Sequence, residues 1–321
     1  MGRDQAWLLR CAAIAAATII CAVSIRLWSG YPGNPKGETS LTVAVFIVVM
    51  AALVRFLLYL GTLWNSGCEH PLSRVRQDLP AAARGFLPLV LGILIIGSFL
   101  FSLSYLKSMI TSVVPFWADA PLAASDRFLH IDAEAIALSL GSLLPALGFF
   151  YGLWHAAHLG GILWVLHWQK EDKARHIVSF MLTWSIGMFL AYIFSSAGPL
   201  FTGQFDPSIA PRSVQKPAEI LWANYQANGA LIGGGISAFP SMHVAIAAWI
   251  AIVMRDRGLA WLGFVFLGGI FAGSVILGWH YTLDGIAGIA VALVADRLSQ
   301  AWLRSGRAIS VPMGQPVAAP N

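Results

Sequence analysis

The sequence predicts an all-α integral membrane protein, a polytopic bundle of about eight transmembrane helices. The first observation is composition: 58% of the 321 residues are hydrophobic and 11% are charged, whereas soluble globular proteins carry roughly 25% charged residues. The second is that apolar runs long enough to cross a bilayer recur along the whole chain. The third is that basic segments between these runs account for most of the net charge of +5, so the charge does not indicate a nucleic-acid partner.

The N-terminal part, residues 1–84, is predicted to hold two spans and a cytoplasmic loop. Its first apolar run resembles a signal peptide, but Arg26 follows where a small-residue cleavage site is expected. We therefore interpret residues 1–28 as an uncleaved span. A second span is predicted over about 41–64. The basic segment 65–84 has no long apolar run and is interpreted as the loop.

The rest of the chain is predicted to form a six-helix core over residues 85–303, followed by a cytoplasmic tail over 304–321. Before the fourth span of the chain, residues 125–132 have the pattern of a short amphipathic helix. The longest segment between spans, 198–236, is rich in proline and glycine, and structureless loops of that length are uncommon unless they are functional. The six core spans are predicted at about 85–106, 139–168, 177–197, 240–254, 259–278 and 280–298.

Basic residues are distributed unevenly between the two sides that eight spans define. With the N-terminus inside, thirteen Lys and Arg residues lie on the inner side and six on the outer side, and cytoplasmic loops carry the excess of such residues. The distribution predicts that both termini are inside. It places segment 198–236, His243 and His280 at the outer face, which is the periplasm in a bacterium and the Golgi lumen in a eukaryote. The short loops favour a bacterial inner membrane.

Two histidines stand where predicted membrane helices begin. His280 and Asp284 are four residues apart and share a helix face, so the carboxylate can fix the tautomer of the imidazole, as in catalytic dyads. His243 lies in the first turn behind Pro240 and Ser241, where free backbone N–H groups and the helix dipole favour an anion. This arrangement suits phosphoryl transfer, in which one histidine attacks phosphorus and the other protonates the leaving oxygen.

These residues resemble the motifs of a known family. Phe239-Pro240-Ser241-Met242-His243 is similar to the Pro-Ser-x-His motif of the type 2 phosphatidic acid phosphatase superfamily, and His280-Tyr281-x-x-Asp284 to its His-x-x-x-Asp motif. The resemblance implies a phosphatidic-acid-phosphatase-like core made of spans three to eight. It also implies that His280 forms a phosphohistidine, that Asp284 orients it, and that His243 is the general acid and base. Both motifs are most similar in form to the inositol phosphorylceramide synthase (aureobasidin-target inositolphosphotransferase) branch.

Departures from the family pattern bear on the substrate. The phosphatase branch usually has a Lys-x6-Arg-Pro motif before Pro-Ser-x-His, and we find none here. It also has an arginine six residues before the second histidine, where this chain has Ser274. The missing cations favour transfer of a phospho-headgroup between lipids over hydrolysis. We expect substitute cations from the outer segments, Arg212 and Lys216 first, then Arg127 and Lys107.

Other residues are candidates for the substrate site. Ser241 can bind phosphate or only cap its helix, and Tyr281 directly follows the second histidine. His158 and His155 lie inside a span, where an ionisable residue suggests function by default. The pair can line the headgroup pocket, pack against other polar groups, or ligate haem.

The predicted function is therefore that of an enzyme, a lipid phosphotransferase, with a membrane lipid phosphate or phospholipid as substrate and a lipid hydroxyl as acceptor. The alternatives are a lipid phosphate phosphatase of the phosphatidate or polyprenyl phosphate type and a non-enzymatic lipid transporter. The cysteines, Cys11, Cys21 and Cys68, predict neither a disulfide framework nor a metal site. No nucleotide-binding loop or metal-ligand motif is found, so we expect catalysis without a cofactor or metal.

Overall fold

The computed structural model describes residues 6–34, 37–167 and 172–308, and within these ranges the chain is helical, without β-strands. Most of the predicted tail, from residue 309 onward, and the first five residues lie outside the described residues. In chain order the helices are α1 (Ala6–Ser29), α2 (Gly37–Asn65), α3 (Pro71–Val113), α4 (Asp119–Phe128), α5 (Ala133–Leu140), α6 (Leu144–His167), α7 (Asp172–Ile193), α8 (Pro199–Thr202), α9 (Arg212–Gln226), α10 (Met242–Arg255), α11 (Ala260–Ile276) and α12 (Thr282–Ala308).

The described residues include eight apolar helical segments. Six are long and apolar enough to cross a membrane: Trp7–Ser29, Val45–Asn65, Gly85–Val113, Ala133–His167, Asp172–Ile193 and Thr282–Ser305. Two shorter apolar helices, α10 and α11, lie between the last two of these. The predicted fold class, an all-α integral membrane bundle, is confirmed.

Helix α3 corrects the prediction of a loop over residues 65–84. From Pro71 onward this segment is the first part of α3, which continues to Val113. Proline is favoured in the first turn of a helix, where its missing N–H has no partner to lose. The segment lacks a long apolar run because it extends the helix beyond the membrane-crossing part, which begins at Gly85.

The segment 198–236 is a second correction, because it is not structureless. It contains the single turn α8 and the amphipathic helix α9, which packs on α6 and buries Val214 and Ala218. The Trp222 ring stacks on that of Phe201 with centroids 5.8 Å apart. One apolar face is enough to hold such a helix against a bundle, even though prolines and glycines dominate the flanking sequence.

Two further helix boundaries differ from the sequence pattern. The short amphipathic helix predicted over 125–132 is α4, which ends at Phe128, and His130 behind it has a left-handed φ of 56°. The predicted fourth span, 139–168, begins as two helices, since Gly141 has a φ of 48° and separates α5 from α6.

Helix α10 is the centre of the bundle and contacts α6, α7, α11 and α12. Its residues 244–253 are all buried, and Trp249 Nε1 donates a hydrogen bond of 2.9 Å to the His176 carbonyl of α7. A Cβ on Gly288 of α12 would lie 2.5 Å from the Ser241 carbonyl oxygen. Small residues let membrane helices approach closely, so Gly288 brings the start of α12 against the start of α10.

An ion-pair cluster holds the middle of α12. Arg175 of α7 donates to both carboxylate oxygens of Asp296, at 2.8 and 2.6 Å, and to Asp256 at 2.8 Å. Bidentate guanidinium–carboxylate pairs add geometric specificity as well as energy. The cluster therefore links α12 to α7 and to Asp256 at the end of α10. We call the side on which α10 and α12 begin the histidine side.

Candidate active site

The starts of α10 and α12 are joined by backbone hydrogen bonds. Ser241 N donates to the Asp284 carbonyl oxygen at 2.9 Å, and the Ser241 hydroxyl accepts from Val244 N at 3.4 Å. Ser241 is fully buried and acts as the N-cap of α10. This contact fixes the relative position of the two helix starts, and with it the two histidines.

His280 is held by a backbone carbonyl. Its Nδ1 lies 2.9 Å from the Ala238 carbonyl oxygen and 3.5 Å from Asp284 Oδ2. A carbonyl oxygen can only accept a hydrogen bond, so Nδ1 carries the proton and Nε2 keeps its lone pair. The sequence did not point to Ala238, because a backbone acceptor leaves no trace in side-chain identity.

Asp284 is fully buried directly behind His280. Its Oδ2 accepts a hydrogen bond of 2.9 Å from Tyr281 N, while Oδ1 has no hydrogen-bond partner among the described residues. The carboxylate thus shapes the turn that carries His280. It also places a negative charge near the Nδ1 side of the imidazole, where it would stabilise positive charge on that ring.

The His243 ring packs on two aromatic side chains of α6, Tyr151 and Trp154, which we call the aromatic floor. Its ring lies 4.2 Å from Trp154 and 5.0 Å from Tyr151, centroid to centroid, and Trp154 Nε1 donates to the His243 carbonyl at 2.9 Å. The His243 and His280 rings are 6.0 Å apart. His155 lies 6.0 Å from His243 on the other side. The structure therefore brings three histidines together, and two of them were predicted as the central pair.

A carboxylate of α4 fixes Tyr281. Asp119 accepts hydrogen bonds from the Ala197 and Gly198 backbone at 2.9 Å each, and from the Tyr281 hydroxyl at 3.2 Å. Burial raises the pKa of Tyr281 above its ordinary range, so the hydroxyl stays protonated and donates. Thr202 Oγ1 lies 3.2 Å from the same hydroxyl. Tyr281 was predicted as a substrate contact, and these partners give it a positioning role beside His280.

A second carboxylate of α4 caps α12. Asp126 accepts from Thr282 N at 3.1 and 3.2 Å through its two oxygens. Burial raises the pKa of this carboxyl group, and the hydrogen bonds from Thr282 oppose the shift. The N-terminus of α12 is therefore already occupied by a side-chain anion, which leaves the start of α10 as the place where a phosphate can meet free backbone N–H groups.

Lys107 is the cation that the structure brings to this region. It lies near the end of α3, within electrostatic range of the His243 imidazole, and no described carboxylate interacts with its ammonium group. A Cβ on Gly235 would lie 2.7 Å from the Lys107 carbonyl carbon, so the segment before α10 packs directly on this part of α3. An ammonium group without a carboxylate partner is available to an anion.

A weak sequence signal for Lys107 exists. Lys107 and Pro115 have the spacing of the lysine and proline in Lys-x6-Arg-Pro, with Val114 at the arginine position. The motif as a whole is absent because its arginine is missing. Ser274 stands at the position of the second missing arginine. It is fully buried, and its carbonyl oxygen accepts a hydrogen bond of 3.0 Å from the His280 backbone N–H. A neutral serine supplies no charge to a phosphate there.

The other predicted substrate contacts lie elsewhere. Arg212 and Lys216 are exposed on α9, and Arg127 is exposed on α4 next to Asp126. None of the three forms a hydrogen bond or ion pair with the histidines among the described residues. His158 is buried, with its ring 4.8 Å from that of Trp154 and near those of Phe180 and Trp184, so it lies behind the aromatic floor. The phosphate-binding role expected for these residues stays a prediction.

Comparison with known proteins places the C-terminal part of the chain in a family. A family model described as PAP2 superfamily matches residues 120–298, which include both histidine motifs and end within α12. Searches among curated proteins and solved structures found no match. In the described part of the chain, no group of three or more His, Cys, Asp or Glu side chains could hold a metal ion.

Proposed function

Because the chain belongs to the PAP2 superfamily, we propose that it is a lipid phosphotransferase that moves a phospho-headgroup between membrane lipids through a phosphohistidine on His280. Membership supports phosphatase- or phosphotransferase-type activity on lipid phosphates in general. The inositol phosphorylceramide synthase branch, whose motif forms this chain shares, is the proposed relative.

The geometry of the two histidines supports different roles for them. The Ala238 carbonyl holds the proton of His280 on Nδ1, so Nε2 attacks phosphorus and forms the N–P bond. The P–O bond to the donor's lipid breaks, and His243 gives its proton to that leaving oxygen. The acceptor hydroxyl then gives its proton to His243 and attacks phosphorus, which breaks the N–P bond and restores His280. A ring separation of 6.0 Å leaves room for phosphorus between the two imidazoles.

The observation that carries the proposal is that, among the described residues, Lys107 is the one Lys or Arg side chain whose charge acts on His243. A phosphate monoester carries about −1.5 to −2 charge at neutral pH, whereas a phosphodiester carries one negative charge. Lys107 supplies one positive charge near His243, a neutral serine, Ser274, stands where the family pattern has an arginine, and Asp119 and Asp126 add negative charge close by. A site of this charge matches a phosphodiester donor better than a monoester. Such a donor transfers its headgroup, and the acceptor is a lipid hydroxyl.

The exposed surface near His243 gives a route for the donor. His155 is exposed although it lies within a membrane-crossing segment, and Gly152, one turn before it, is also exposed. A Cβ on Gly152 would meet nothing within 4 Å. Polar residues in such a place mark substrate paths. We propose that the donor lipid reaches His243 sideways past this face of α6, at the outer leaflet that the distribution of basic residues predicts.

The test compares donors and variants in one assay. The purified chain in nanodiscs receives headgroup-labelled phosphatidylinositol, with or without ceramide or diacylglycerol, and in parallel labelled phosphatidate. We expect label to move to the acceptor lipid, and expect His280→Ala and His243→Ala to abolish the transfer. Lys107→Gln should reduce it at least tenfold, while Arg304→Gln, which changes an exposed arginine near the other end of α12, should leave it unchanged.

Two outcomes would replace the proposal with its alternatives. Release of inorganic phosphate from phosphatidate without acceptor, faster than headgroup transfer, would make the protein a phosphatase. Lipid movement across the bilayer that survives both histidine substitutions, with no transfer in the wild type, would make it a transporter.

A further inference from the structure

A groove between α1 and α3 lies apart from the histidines. Its volume is about 290 Å³, close to the lower end of ligand pockets at about 300 Å³. The apolar side chains of Ile19, Ala22, Val23 and Phe101 form most of its wall. Tyr105 lines the groove, and Lys107 follows it two residues later on α3. The two side chains are therefore rotated by about 200° about the helix axis, so the groove and Lys107 lie on opposite faces of α3.

One cation closes the groove at the histidine side. Arg26, in the last turn of α1, lines the groove and holds its guanidinium carbon 5.9 Å above the centre of the Tyr105 ring. Tyr105 is itself fixed by a hydrogen bond of 2.9 Å to the Gly33 carbonyl. Stacking on a ring uses the face of the guanidinium and leaves its N–H donors at the edge. No carboxylate of a described residue forms an ion pair with Arg26.

The neighbours of Arg26 indicate its depth in the bilayer. Trp28 is 74% exposed and Leu27 is 79% exposed, and tryptophan is enriched at the level of lipid headgroups. From Arg26 to Ile19 the groove runs seven residues along α1, about 10 Å towards the bilayer centre. A cation at headgroup level beside an apolar groove that extends towards the bilayer centre is complementary in shape and charge to a phospholipid.

We propose that this groove binds one acyl chain of an anionic glycerophospholipid, whose phosphate pairs with Arg26. The headgroup should be anionic rather than zwitterionic. Arg26 offers a cation for the phosphate, and the residues that line the groove include no carboxylate that could pair with a choline or ethanolamine ammonium group. The site is separate from the histidine site and does not rest on the proposed function.

Native mass spectrometry of the full chain in detergent tests the proposal with two probes of equal chain length, phosphatidylglycerol and phosphatidylcholine. We expect one phosphatidylglycerol to bind at least fivefold more tightly than phosphatidylcholine. Arg26→Gln should remove the preference, and Arg304→Gln, which changes an exposed arginine of α12, should retain it.

A second variant tests the groove itself. Val23 is 51% exposed and lines the groove, so Val23→Trp can fill it without disturbing the core, and should weaken binding of both lipids. Gly160→Trp is the matched control, because a side chain there meets nothing within 4 Å and lies on α6. Equal binding of the two lipids by the wild type, or a preference that survives Arg26→Gln, would overturn the proposal. Binding unchanged by Val23→Trp would show that the lipid lies elsewhere.

Discussion

Replacing Asp284 by asparagine separates two ways of orienting His280. In the wild type, His280 Nδ1 lies closer to the Ala238 carbonyl, at 2.9 Å, than to Asp284 Oδ2, at 3.5 Å. Asparagine has the shape of aspartate, and its amide oxygen can still accept the hydrogen bond from Tyr281 N. Asp284→Asn should therefore leave the His280 ring and its tautomer in place and remove only the negative charge behind it.

The expected loss of rate in Asp284→Asn follows from the electrostatic stabilisation that the carboxylate gives to His280. Asp284 is fully buried, so solvent does not screen its charge. A hydrogen bond to a charged group contributes about 1.5 to 3 kcal/mol, which corresponds to roughly a 10- to 160-fold slower formation of the phosphohistidine at about 1.36 kcal/mol per factor of ten. In a Ser-His-Asp triad, where the carboxylate holds the tautomer, the same change lowers kcat by about 10⁴-fold.

Single-turnover transfer of a labelled headgroup, quenched at increasing times, measures this step. His280→Ala provides the floor of the assay, and thermal melting in detergent shows whether each variant is folded. A folded Asp284→Asn protein that loses 10⁴-fold or falls to the His280→Ala floor would refute the role of Ala238. A loss of less than twofold would refute the electrostatic role of Asp284.

Three further predictions concern the surroundings of the site. Lys107→Gln should lower kcat/KM for a phosphodiester donor at least tenfold through loss of one desolvated charge contact, whereas Arg304→Gln, at an exposed position of α12, should change it less than twofold. Gly152→Trp should raise the KM for donor lipid severalfold by narrowing the path to His243, whereas Gly160→Trp, also in open space, should not; equal KM values would exclude this path. Asp296→Ala should lower the free energy of unfolding by about 2 kcal/mol, because it removes the bidentate partner of a half-buried arginine, with little change in transfer by the folded fraction, as thermal melting and activity assays would show.

Much of the fold could be predicted from the sequence, because membrane helices need long apolar runs and the chain shows them directly. The predicted helix boundaries were wrong where a helix is polar. The start of α3 and the whole of α9 lie outside the apolar runs, so hydropathy alone assigns them to loops. In α9 the buried residues are Val214 and Ala218, a spacing of four that is visible in the sequence but is masked by the neighbouring prolines.

The sequence predicted that the two histidines meet, and it did not predict the backbone contacts that hold them. His243, His280 and Asp284 stand in recognisable motifs, and the structure brings the two rings to 6.0 Å. Ala238 could not be predicted, because it acts through a carbonyl group. Asp119 could not be predicted either, because it accepts a hydrogen bond from the hydroxyl of Tyr281, which is 162 residues further along the chain. Long-range contacts of this kind depend on how α4 folds over the start of α12, and no local pattern encodes that arrangement.

The shortness of α10 bears on which acceptor the proposed enzyme can use. Its 14 residues span about 21 Å, which is less than the thickness of a hydrocarbon core, about 30 Å. A helix of this length that ends at one membrane surface therefore begins below the opposite surface. The contacts of His243 support this recessed position. Its α6 partners Tyr151 and Trp154 lie seven to ten residues, about 10 to 15 Å, beyond the start of α6. The proposed phosphohistidine on His280, whose ring is 6.0 Å from that of His243, would lie near that depth, closer to lipid hydroxyls than to bulk water. The ratio of headgroup transfer to hydrolysis should therefore exceed one at saturating acceptor, and a ratio below one would contradict the recessed position.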